Sequence, residues 1–159
     1  MLCLRRPAPA LKLTERMEIR RSALVLHPAM DMFRLVQDVP AYPEFLGWCV
    51  KSQVLEQTAE HQVATLVVKV SGITQSFTTH NRFVPGERLT LSLVDGPFRH
   101  LAGEWLFEPL GTEGSKVTLV LSFDFSSRVL SSAFRRGFTR IADRLVSEFS
   151  NRADHVYGS

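Results

Sequence analysis

VTLVLSFDFSSRVLSSAFRRGFTRIADRLVSEFSNRADHV, residues 117–156, changes its hydrophobic period part-way along, and that change decides the fold. In its first part Val117, Leu119, Leu121, Phe123 and Phe125 alternate with Thr118, Ser122 and Asp124, the period of two that belongs to a strand with one buried face. After Ser126-Ser127, whose hydroxyls suit a helix start, Leu130, Phe134, Phe138, Ile141, Leu145, Phe149, Ala153 and Val156 step by three or four. The spacing predicts one helix beginning near Arg128, with Phe134, Phe138, Ile141 and Leu145 buried. At 1.5 Å per residue it reaches roughly 45 Å, enough to cross a sheet whose strands run to about ten residues. A sheet with one apolar face and a helix with one apolar stripe bury those surfaces against each other.

Upstream the strand period continues. Leu89, Leu91 and Leu93 alternate with Arg88, Thr90 and Ser92, and Ile73, Phe77 and Phe83 lie opposite Thr74, Ser76, Thr78, His80 and Arg82. Turn residues separate the segments at Ser71-Gly72, Pro85-Gly86, Asp95-Gly96-Pro97 and Gly111-Thr112-Glu113-Gly114. This is a meander with one wet and one dry face. Residues 18–26 form an opening strand that ends at His27-Pro28, where proline suits the first turn of a helix. Met30, Phe33 and Val36 then mark a short helix, Asp38-Val39-Pro40 breaks it, and residues 41–46 form a second one around Pro43. The expected architecture is α+β: a curved antiparallel sheet of about seven strands around a long C-terminal helix, with two short helices after the first strand.

The 159 residues suit one core. No run of 18 apolar residues occurs, since even residues 63–70 are interrupted by Thr65 and Lys69, so a soluble protein is expected. Cys3 and Cys49 cannot build a disulfide framework or a zinc knuckle, which fits a reducing cytoplasm. Residues 1–16 carry Arg5, Arg6, Lys12 and Arg16 against Glu15 among Pro7, Ala8, Pro9 and Ala10, and read as a disordered extension. Met17 opens the first strand pattern, so the extension is expected to derive from an upstream start codon, and residues 17–159 form the domain. The chain holds 19 basic and 16 acidic residues, and setting the extension aside leaves fifteen of each. Within that neutral domain the last element is basic: Arg128, Arg135, Arg136, Arg140, Arg144 and Arg152 face only Asp143, Glu148 and Asp154.

Catalytic patterns are absent from the sequence. It has no His-Glu-x-x-His, Gly-x-Ser-x-Gly or phosphate loop, and His27, His61, His80, His100 and His155 lack metal-ligand spacing. His80 and Asp124 are weighed as an acid/base pair and set aside, because both fall on the wet faces of their strands. No catalytic or metal-ligating residue is assigned. Gly103 and Gly137 either mark close backbone approach or are tolerated small residues.

Two stretches are more specific: Tyr42-Pro43-Glu44-Phe45-Leu46-Gly47-Trp48-Cys49, and residues 94–110, VDGPFRHLAGEWLFEPL. They match the patterns YPxFLPWC and GPFxxLxGxWxFxPL, and the chain thereby resembles the coenzyme Q-binding branch of the START-like (polyketide cyclase/lipid-transport) superfamily, whose bacterial members include the ribosome-association toxin. The resemblance covers residues 17–157 and implies a helix-grip fold. One departure is visible: the family often has proline where this chain has Gly47, which loosens the turn before Trp48. Cys49 fits the motif as a small apolar filler.

The resemblance implies two functions. The first is non-enzymatic binding of a ubiquinone-like isoprenoid, held without a covalent cofactor in a cavity between sheet and helix, in support of respiration. Phe45, Trp48 and Phe98 are placed to rim that cavity, and Phe77, Trp105, Leu119, Leu121, Phe134 and Phe138 to line it. The alternative is a toxin that binds the large ribosomal subunit and blocks subunit joining, with Arg136, Arg140 and Arg144, four residues apart, meeting RNA phosphates. Against that, the same row reads as a solvated helix face with Glu148 as partner. A peripheral inner-membrane contact suits the first reading; DNA suits neither. A polyketide cyclase or aromatase ranks last, for want of an acid or base aimed into the cavity.

Overall fold

A computed structural model describes residues 16–127, 129 and 131–158. The expected extension, except for Arg16, lies outside the described residues, as do Arg128 and Leu130. In chain order the elements are β1 (Met17–Val25), α1 (Ala29–Gln37), a 3-10 turn (Val39–Ala41), α2 (Tyr42–Phe45), β2 (Cys49–Gln57), β3 (His61–Val70), β4 (Ile73–Val84), β5 (Arg88–Asp95), β6 (Phe98–Leu110), β7 (Gly114–Phe125) and α3 (Ser132–Tyr157).

All seven strands join one antiparallel sheet in the order β1-β7-β6-β5-β4-β3-β2. The meander from β2 to β7 places sequence neighbours side by side. β1 closes the far edge on β7, from Met17 opposite Phe123 to Val25 opposite Ser115. The short helices carry the chain from one edge of the sheet to the other. Register shifts between Cys49 and Lys51, Val54 and Glu56, Thr78 and Thr79, and Phe98 and His100 add residues to one strand of a pair, which bends the strand and increases its twist. The sheet therefore curves around α3.

Both periods hold, with corrections at the junction and along the stripe. Val117, Leu119, Leu121, Phe123 and Phe125 are all buried. Asp124 is buried too, although alternation places it on the wet face: β7 lies between β1 and β6, and the arm of Arg99 lies over it, with the guanidinium 3.7 Å from the carboxylate. The helix starts at Ser132, not near Arg128, and its cap is Ser131, whose hydroxyl accepts the Phe134 N–H at 3.1 Å. Ser126 instead anchors a turn in which the Val129 N–H donates to its carbonyl, and the Val129 side chain is tucked into the core before the helix begins. Along α3 the buried line is Phe134, Gly137, Phe138, Ala142, Val146, Phe149 and Ala153. Ile141 and Leu145, expected to be buried, are only half-buried, and Val156 is exposed. In its middle the buried line runs through Ala142 and Val146, one position on from Ile141 and Leu145.

Both glycines left open by the sequence mark close approach. A Cβ on Gly103 would lie 2.5 Å from the Val120 carbonyl oxygen of the neighbouring strand. A Cβ on Gly137 would lie 2.1 Å from Cγ1 of Val70, at the end of β3. Alanine is favoured over glycine in a helix by about 1 kcal/mol, whereas overpacking costs about 1–3 kcal/mol. Gly137→Ala is therefore expected to lower the denaturation midpoint, and the same change in a Val70→Ala background to raise it, as measured by urea unfolding.

Candidate functional site: an apolar cavity under a basic helix

Between α3 and the inner face of the sheet lies a cavity of about 100 Å³. Its apolar walls come from both layers: Trp105, Leu121 and Phe77 from the strands, and Phe138, Leu145 and Phe149 from α3. Of the residues predicted to line or rim it, Trp48, Phe77, Trp105, Leu121 and Phe138 do so. Leu119 and Phe134 are buried in the core beside it, Phe134 stacked on Phe138 at 6.3 Å.

Two predicted rim residues have other places. Phe98 is buried among the rings of Phe77, Phe125 and Phe138, with centroids 5.1–5.5 Å away, so it plugs one end instead of rimming the mouth. As the first residue of β6 on the inner face it has nowhere else to go. Phe45 stands behind the wall, edge-on to Phe149 at 5.3 Å, with the Arg152 guanidinium 4.8 Å above its ring. Arg152 in turn pairs with Glu44 at 3.0 Å.

Trp48 does stand at the mouth, half-buried, and it is held there in spite of Gly47. Its carbonyl accepts the Lys69 N–H at 2.9 Å, and its indole Nε1–H donates to Oε1 of Glu148 at 3.1 Å. Glu148, expected as a partner of the arginine row, is thus engaged by tryptophan. Outside Trp48 and Ile141 opens a groove lined by Lys69, Arg140, Arg144 and Glu148. Arg136, Arg140 and Arg144 are all exposed, and none makes a hydrogen bond or ion pair with another described residue. Asp143, between them, is bound instead to Arg21 of β1. Arg136 borders a second cleft with Arg16, Arg135 and Asp124.

The polar side of the cavity falls on the period-two face of Phe77 and Phe83, although only aromatic and aliphatic residues were expected to line it. Thr79 and Asn81 of β4 face inward and line it, and Tyr42 closes it from α2. The Tyr42 hydroxyl donates to the Val36 carbonyl, and burial, reinforced by Cys49 and Asp38, pushes its pKa far above the ordinary value, so it stays neutral. Among the described residues, Tyr42 is the one titratable side chain on the wall. His80 and Asp124 are not a pair: His80 lies opposite Ser92 on β5, and Asp124 opposite His100 on β6. Among the described residues no group of three or more His, Cys, Asp or Glu side chains is placed to hold a metal, and no helix is long and apolar enough to cross a membrane.

A sheet wrapped on one long helix, with a largely apolar hollow between them, is a helix-grip fold. The profile of the family described as polyketide cyclase / dehydrase and lipid transport matches residues 25–150, and the chain belongs to that family. It is 47% identical over 141 residues to the ribosome association toxin RatA of Vibrio cholerae, covering 89% of this chain and 98% of that one. It is 28% identical over 150 residues to a mitochondrial coenzyme Q-binding protein, COQ10 homolog B of Xenopus laevis, covering 91% of this chain and 61% of the relative. Among solved structures, the Zhui aromatase/cyclase of a Streptomyces superposes with a TM-score of 0.75 at 18% identity over 88% of this chain and 94% of its own. That likeness establishes the fold.

Cys49, the last residue of the first motif, is buried, and burial pushes its thiol pKa up, the opposite of an activated nucleophile. In a Cys3→Ser variant at pH 8, iodoacetamide is expected to modify folded protein at least about tenfold more slowly than urea-unfolded protein, followed by intact mass.

Proposed function

We propose that this chain is a non-enzymatic, ribosome-associating protein of the RatA type, which binds the large subunit through the exposed arginine face of α3 and hinders subunit joining. The observation that carries the reading is the row Arg136, Arg140 and Arg144, unpaired within the described residues and repeated at one helical turn along a single face. Guanidiniums without partners among the described residues break no ion pair there when they meet phosphates. The near-full-length similarity to proteins named ribosome association toxin supports the same reading. Balanced net charge over the domain does not oppose it, because the Debye length at physiological salt is about 8 Å and a local row is felt above a distant balance.

Quinone binding comes second. The apolar wall and the coenzyme Q-binding relative favour it. Its difficulty is size: a hollow of about 100 Å³ compares with roughly 300–1,000 Å³ for common ligand pockets, so a polyisoprenoid enters only if Trp48, Ile141 and Leu145 swing outward. A cyclase reading is weaker still, since Tyr42 is a neutral hydroxyl committed to a backbone carbonyl and no other acid or base reaches the wall.

Arg136→Glu with Arg140→Glu is expected to abolish cosedimentation with large subunits while leaving the melting temperature unchanged. The milder pair Arg136→Gln with Arg140→Gln should flatten the slope of log affinity against log salt by about 2, one unit for each lost phosphate contact. Unaltered cosedimentation of the glutamate pair would return these arginines to a solvated face.

A further inference from the structure

From the direction of the hydrogen bonds behind its polar wall we infer that the cavity is a subsite for a hydroxyl-bearing six-membered ring, with Thr79 accepting the ligand's hydroxyl proton and Asn81 donating to its oxygen. The inference rests on the cavity alone and is independent of ribosome binding.

Gln37 at the end of α1 offers its backbone carbonyl, which can only accept. The amide of Gln62 lies 3.1 Å from it, so the atom facing Gln37 must be the nitrogen, and the same nitrogen lies 3.0 Å from Oε1 of Gln57. Both protons of that nitrogen are thereby used. The oxygen of Gln62 must then face the other way, across the β3–β4 register, where Asn81 is its direct partner. Asn81 meets it with Nδ2 at 2.8 Å, which turns Oδ1 of Asn81 toward Thr79. That oxygen, 2.9 Å from the Thr79 hydroxyl, takes the one proton the hydroxyl has. One unambiguous carbonyl thus fixes the orientation of every group in the relay, without any choice of amide flip.

The relay leaves hydrogen-bonding capacity over on the two residues that line the cavity, Thr79 and Asn81. Thr79, with its proton committed, presents lone pairs only. Asn81 has a second Nδ2 proton, and no described residue takes it. Both side chains line the hollow, and Asn81 and the Gln62 behind it are buried. Each group already has one partner, so neither is an unsatisfied buried atom, yet the lone pairs left on the Thr79 hydroxyl and the second proton left on the Asn81 amide stand side by side and form a polar spot that an apolar wall would lack. A hydroxyl satisfies both at once. An ether or a ketone satisfies Asn81 alone, and a hydrocarbon neither. The remaining walls are aromatic and aliphatic, and about 100 Å³ is two thirds of the roughly 150 Å³ apolar cavity known to admit benzene, which limits the ligand to one ring and requires the half-buried Ile141 and Leu145 to give way slightly as it enters. The matching chemical class is a phenol.

The test is a titration of the full chain by amide and indole NMR with three probes of one shape: p-cresol, 4-methylanisole and toluene. In the wild type p-cresol is expected to shift the Trp105 indole and the Thr79 and Asn81 signals, and to bind about tenfold or more tightly than either analogue, as a site built for a hydroxyl rejects molecules without one. Thr79→Ser should keep the preference and Thr79→Val should erase it. If Thr79→Val does not fold, the wild-type series decides alone. Equal binding of the three probes, no shift at the cavity signals with any of them, or a preference that survives in folded Thr79→Val would each overturn the inference.

Discussion

How closely α3 can lie on the sheet is set by the contact of Gly137 with Val70, where the absence of a Cβ lets the helix touch the end of β3. Near that contact the rings of Phe77, Phe98, Phe125, Phe134 and Phe138 close into a solid knot with centroid separations of 5.1–6.3 Å. Further along the helix Phe149 meets Trp105 edge-on at 5.2 Å, with Tyr42 and Phe45 packed behind it. The helix is therefore held at two points by different means: close backbone approach at one, bulky rings at the other. A rigid rod fixed in this way cannot collapse onto the sheet between its supports, and the space left over is the cavity. Close packing elsewhere makes that space a property of the fold, because filling it would require one of the supports to give.

The same helix has an outer face whose charges are sorted by their partners. Asp143 is taken by Arg21, Glu148 by Trp48, Arg152 by Glu44, and Asp154 lies 2.8 Å from His27. Every acidic residue of α3 is thus engaged with another element, and these contacts tie the helix to both edges of the sheet. The arginines at 136, 140 and 144 are what remains. Taking up the acidic side chains in this way leaves a positive strip beside the cavity mouth on a domain of balanced charge.

The hydrophobic period carried the architecture. The switch from two to about 3.6 in residues 117–156 located β7 and α3, and glycine and proline located four of the hairpin turns. What it missed has physical causes. Ser126-Ser127 looked like a cap because serine caps by composition, but burial of Val129 delayed the helix to the equally suitable Ser131. Ile141 and Leu145 looked buried because a stripe read at three or four steps does not tell its centre from its flank. In the site, aromatic residues of the two motifs were found, yet Phe98 and Phe45 went elsewhere, since sequence gives the face of a strand but not the depth along it. Thr79 and Asn81 share the period-two face of Phe77 and Phe83, but what lets polar side chains stay there, here Gln62 across the β3–β4 pair, is a partner that periodicity does not show. Family resemblance added both functional readings, and the near-full-length similarity to proteins named ribosome association toxin favours the alternative over the first.

Arginine-selective labelling of the chain with phenylglyoxal, alone and with an excess of purified large ribosomal subunits, tests the account most directly when modification is read residue by residue by mass spectrometry. Arg136, Arg140 and Arg144 are exposed in the free protein, and so are Arg82 and Arg88 on β4 and β5. Ribosome association through α3 predicts strong protection of the helix row with Arg82 and Arg88 labelled as before; equal labelling of all five with and without subunits, or protection confined to Arg82 and Arg88, would contradict it.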